Sequence, residues 1–127
     1  MERVQFIQHK GKAILYINCV HCSSGELLGA MADAKAAVRT QKPGSVLTLT
    51  DVTGSSFDST VTAAMKDLLL HNKPYVAAAA VVGVTGIKQI IFNSVMRFSG
   101  RHLHAFESLD AAKDWLAGHV TGSAPAA

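Results

Sequence analysis

Apolar residues switch along this chain between a period near two and a period near 3.6, and the switches mark its elements. Val4 to Gln8 and Ala13 to Ile17 are short β-like runs around His9-Lys10-Gly11-Lys12, which predicts an antiparallel hairpin. The polar stretch Asn18 to Ser24 follows. Leu27, Leu28, Met31, Ala34 and Val38 then recur at helical spacing, and Ser23 stands to Glu26 as in a capping box. Lys42-Pro43-Gly44 stops that helix. Val46 to Thr50 reads as a buried strand ending at Asp51. A second helix carries Val61, Met65, Leu68 and Leu69 on one face and ends near His71-Asn72, just before Pro74.

Tyr75 to Val82 has no polar position, which predicts an interior strand covered on both faces. Ala77 to Ala80 are weak strand formers and make sense where helices approach the sheet closely. Gly83-Val84-Thr85-Gly86 leads to a third helix, with Ile87, Ile90, Ile91, Val95 and Phe98 on its predicted apolar face and Gly100 at its end. Arg101 to Phe106 is the last predicted strand. Ser108 caps a short helix with Leu109, Ala112, Trp115 and Leu116 as its apolar side, ending at Gly118. The order β-β-α-β-α-β-α-β-α predicts an α/β domain over residues 1–118 and a flexible tail at 119–127. Its sheet would be single, mixed and mostly parallel, of about five strands, with four helices.

Composition narrows the function classes. The chain has 127 residues, enough for one hydrophobic core, with 49% hydrophobic and 17% charged residues. The net charge is +3, and the basic residues Arg3, Lys12, Lys42, Lys66, Lys88, Arg97 and Arg101 are scattered. That favours a solvated surface over a nucleic-acid face. Two cysteines are too few for a disulfide scaffold. MERVQFIQHK lacks an apolar signal core, and the apolar run Tyr75 to Val84 is about half a membrane span. The expectation is a soluble, cytoplasmic protein with no membrane span, nucleic-acid partner or cofactor. A homodimer through an edge strand or helix face is compatible with it.

The aspartate-ended third strand, LTLTDVTGSSFDS (Leu47 to Ser59), KPYVAAAAVVGVTGIKQI (Lys73 to Ile90) and the ending FESLDAAKDWL (Phe106 to Leu116) together resemble the STAS superfamily. Within it the chain is most similar to the SpoIIAA-like branch of STAS/CRAL-TRIO-type domains, from about Val4 to Leu116. That resemblance implies a non-enzymatic regulatory domain. Well-known members are bacterial anti-anti-sigma factors, which bind a kinase-like anti-sigma protein and switch on a serine at the start of the second helix. The matching residue here is Ser59, in Asp58-Ser59-Thr60-Val61, with Val61 where those members carry glycine. CRAL-TRIO-like relatives imply an alternative, a carrier of an apolar or lipid-like ligand held between helices and sheet. Met65, Leu69, Ile91 and Val95 would line such a pocket.

The residues themselves offer three candidate chemistries. A phosphate on Ser59 would meet free N–H groups and the positive end of a helix, although Asp58 or Ser59 also serves simply as the helix cap. Asp51 would anchor the loop polar side. The loop Thr53-Gly54-Ser55-Ser56 and the turn Gly83 to Gly86, with Thr85 between the glycines, should leave the sheet at one edge. With Lys88 they would form a small anion or polar-ligand pocket, unless the glycines serve backbone geometry alone. Cys19-Val20-His21-Cys22 has the spacing of a dithiol at a helix start. The element order is not that of thioredoxin, so buried small residues are the alternative to a thiol oxidoreductase. His102 and His104 share a strand face without a carboxylate pattern, which reads as surface or packing.

Overall fold

Lys10 and Gly11 both take positive φ, 49° and 80°, and this tight turn joins β1 (Val4–His9) to β2 (Lys12–Asn18). The computed structural model describes residues 3–119, and the remaining elements follow in the predicted order. They are α1 (Ser24–Arg39), β3 (Val46–Asp51), α2 (Ser59–Asn72), β4 (Val76–Val82), α3 (Ile87–Ser99), β5 (His104–Phe106) and α4 (Leu109–Ala117). The sheet runs β1-β2-β3-β4-β5, antiparallel between the first two strands and parallel thereafter. Of the predicted tail, His119 is folded against α4, its Nδ1 3.0 Å from the Trp115 carbonyl oxygen. Residues 120–127 lie outside the described residues.

Consecutive parallel strands joined by crossovers of one hand return their helices to the same side of the sheet. The burial follows that rule. Leu15, Ile17, Val46 and Val81 pack with Met31, Ala34 and Val38 of α1, Val61 and Met65 of α2, and Phe92 and Val95 of α3. On the opposite face Ile14, Leu47, Leu49, Ala78 and Ala80 pack with Ala112 and Leu116 of α4. The adjacent pair Ile14 and Leu15, both fully buried, therefore serves two cores. Ala78 and Ala80 face α4 as expected of a close helix approach, while Ala77 is exposed near the strand start.

Two sequence expectations are corrected. The last strand covers only His104–Phe106, because β4 offers it partners only at Ala80, Val81 and Val82. The third helix buries Phe92, Val95 and Ser99, and leaves Ile87, Ile90 and Phe98 exposed. Apolar residues cover much of this helix, so periodicity picks out Val95 and Ile91, which do meet the core, together with three residues that do not.

Candidate functional site

The carboxyl ends of β2, β3 and β4 carry three loops that hold one another in place. Asp51, buried at the end of β3, accepts hydrogen bonds from the Thr53 amide at 3.0 Å and the Thr53 hydroxyl at 2.6 Å. This aspartate turn bends the chain immediately after the strand. Ser55, also buried, donates its hydroxyl to the Val52 carbonyl at 2.7 Å. The cysteine loop joins from the side. Cys19 N–H donates to the Asp51 carbonyl, His21 N–H to Thr53, and Ser56 N–H to Cys22, at 2.8, 2.8 and 2.9 Å.

Glycine is required at two of these contacts. A Cβ on Gly54 would stand 2.5 Å from the His21 Cε1, and one on Gly83 would stand 2.5 Å from the Thr53 backbone nitrogen. Both glycines also take positive φ, 68° and 88°. The two predicted loops do meet, with Gly83 close against Thr53. Lys88 donates to the Val52 carbonyl at 2.9 Å and lies over the Phe57 ring at 5.8 Å, so it ties α3 to the loop before α2. The cavity beside Gly83 and Thr85, about 300 Å³, opens instead toward Ala105 and Glu107. Gly86 is exposed, with open space around it.

Asp58 is the cap of α2: its Oδ1 accepts from the Val61 N–H at 2.8 Å. That hydrogen bond, followed by one from Ser24, holds the Asp58 carboxyl below its ordinary pKa. The cap duty therefore falls on Asp58, and Ser59 stands exposed in the first turn with its hydroxyl in no hydrogen bond among the described residues. At the same end of the sheet, on the neighbouring α3, Ile87 is 72% and Ile90 69% exposed. Three residues apart on one helix, the two side chains lie next to each other and make a small exposed apolar patch. Nothing in the sequence distinguished them from core residues.

The cysteines are both buried and unbridged. Burial, and next the nearby Cys22, push the Cys19 thiol up to about 12, the reverse of the activation a dithiol nucleophile needs. Among the described residues no group of three or more His, Cys, Asp or Glu side chains is placed to hold a metal ion. His102 lies just outside β5, yet its ring meets that of His104 at 4.3 Å, and His104 meets Trp115 at 4.3 Å. Trp115 also contacts Phe106 and His119, so this group anchors α4 to the sheet edge. His71 ends α2, hydrogen-bonded to Asn72 and stacked on Tyr75.

Between the sheet and the three-helix layer lies an apolar cavity of about 60 Å³, lined by Cys19, Met31, Met65, Leu69 and Phe92 among others. Met65 and Leu69 line it as expected, whereas Ile91 and Val95 do not. Among the described residues no helix is long and apolar enough to cross a membrane. Comparison with protein-family models, curated proteins and solved structures finds no match to this chain.

Proposed function

We infer that this chain is a non-enzymatic protein-interaction domain of STAS type, whose contact surface is the start of α2 together with the start of α3. The observation that carries this reading is the division of labour at α2: Asp58 caps the helix and leaves the Ser59 hydroxyl exposed, at the same end of the sheet where the neighbouring α3 begins with the exposed Ile87 and Ile90. A phosphate on Ser59 would sit at the positive end of the α2 dipole, where Asp58 already holds the Val61 N–H. It would also bring almost two negative charges next to Asp58 and repel an acidic partner. By resemblance the partner is an anti-sigma or kinase-like regulator. The knitted loops behind the surface, fixed by Asp51, Thr53, Ser55 and Lys88, give it a rigid backing. The test is the intact mass of the protein purified from its own cells. The reading expects a phosphate-sized increment that is absent from a Ser59→Ala variant, and an increment that survives the substitution would overturn the role of Ser59.

The apolar cavity favours a second reading, a carrier of a small apolar ligand. At about 60 Å³ the space falls below the roughly 150 Å³ that takes a benzene-sized guest. A lipid would therefore need α2 to swing outward on Met31 and Met65, the adaptable side chains of the wall. Native mass spectrometry separates the two readings, since a carried ligand appears as a non-covalent adduct that is lost on denaturation.

A further inference from the structure

At the opposite end of the sheet, where β4 and β5 begin, two cations stand without a carboxylate partner among the described residues. Arg101, half-buried, donates from Nη1 to the Leu69 carbonyl at 3.5 Å, and Lys73 donates to the Ser99 carbonyl at 3.4 Å. Each thus sits at the end of a helix, Arg101 at α2 and Lys73 at α3, and neither is in an ion pair among the described residues. The sequence explains the lack of partners: no acidic residue occurs between Asp67 and Glu107. Burial pulls the Arg101 guanidinium down to about 10, the mark of a charge that its surroundings do not neutralise.

The two helix ends supply some negative potential, roughly half an elementary charge each. Two full positive charges against them leave a local excess of roughly one. Beside the cations runs an open edge. β5 pairs with β4 only from Ala80 onward, so the backbone from Val76 to Ala79 has no strand on that side. Lys73, Arg101, His102 and this bare edge line a cavity of about 200 Å³. That is below the roughly 300–1,000 Å³ of sites for drug-sized molecules, and it suits a compact charged group on a short stem.

We propose that this cavity binds a phosphate-type oxyanion, with the Arg101 guanidinium as its planar clamp, Lys73 as the second charge and the free β4 edge as further donors. A guanidinium fork meets two oxygens of such a group at once, which an ammonium cannot do. The oxyanion can come from a small phosphate monoester or from a phosphorylated side chain of another protein, and both present the same chemistry to the cavity. This site is separate from the Ser59 surface and does not depend on it.

The experiment is an amide-resolved NMR titration of the full chain with methyl phosphate, with sodium chloride of equal ionic strength as the control. Saturable shifts confined to Ala77, Ala78, Ala79, Arg101 and His102 are expected, weakened about tenfold or more in Arg101→Gln and only partly restored in Arg101→Lys. Lys73 is exposed, so Lys73→Gln keeps the fold if Arg101→Gln does not, and it should weaken binding several-fold. A phosphoserine tripeptide run in parallel assigns the source: tighter binding than methyl phosphate points to a protein partner, equal or weaker binding to a small molecule. Shifts spread over all basic residues, equal shifts with chloride, or binding unchanged in Lys73→Gln would overturn the proposal.

Discussion

Gly83 lies against Thr53 so closely that any side chain at position 83 would enter the Thr53 backbone, 2.5 Å from its nitrogen and 2.7 Å from its Cα. The turn after β4 and the loop after β3 are therefore one packed unit, and the surface in front of them inherits its shape from that contact. Gly83→Ala should cost about 2–3 kcal/mol, since it adds a backbone clash to a left-handed conformation. Gly86→Ala meets open space, but its φ of 58° with ψ of −129° is a conformation that favours glycine, so it should cost about 1–2 kcal/mol from backbone strain alone. Urea denaturation of the two variants side by side checks the difference.

Asp58 and Ser59 separate in the same way. Asp58→Ala removes the bond to the Val61 N–H and should lower the thermal midpoint, whereas Ser59→Ala should leave it nearly unchanged. The pH dependence carries a definite sign. The folded-state pKa of Asp58 is depressed, so its contribution is present above the ordinary carboxylate range and disappears as pH falls through the folded value. Wild type should lose stability on acidification below about pH 4 more steeply than Asp58→Ala.

Cys19 should be inert in the folded protein. Its thiol is raised from the ordinary 9.0 to about 12, chiefly by burial. A thiol reagent at pH 8 should therefore modify neither Cys19 nor the equally buried Cys22 until the chain is unfolded. Because the folded thiol keeps its proton longer than the unfolded one, this stabilisation is complete below pH 9.0 and is lost as pH rises toward about 12. Rapid labelling of the native protein would contradict the assignment.

The alanines of β4 make a packing prediction. Ala80 is buried against the α4 face, with Ala112 of that helix fully buried opposite the sheet. Ala80→Leu should destabilise by about 1–3 kcal/mol through overpacking, while Ala77→Leu, at an exposed position, should be nearly neutral.

The strand and helix order was legible because each element has its own period, cap or stop: Ser23 with Glu26, Asp58, Ser108 and Gly100 all act where the pattern places them. Asp51 and its turn were legible for the same reason, since the bonds to Thr53 span only two residues. What stayed hidden depends on distant partners. Lys88 reaches the Val52 carbonyl across 36 residues, and the exposure of Ile87 and Ile90 follows from which side of α3 finds the sheet. The solitary Arg101 is a further case. Sequence shows a stretch without acidic residues, and only the fold shows that no described carboxylate pairs with Arg101 from elsewhere.

The central claim is that the start of α2 and the start of α3 form one partner surface under the control of Ser59. A photo-crosslinking residue placed at Ile87 in living cells tests it most directly, with the same residue at exposed Asp33 as the control. The account predicts one discrete protein adduct from position 87, lost in a Ser59→Glu background and absent from position 33. No adduct above the control, or an adduct indifferent to Ser59→Glu, would contradict it.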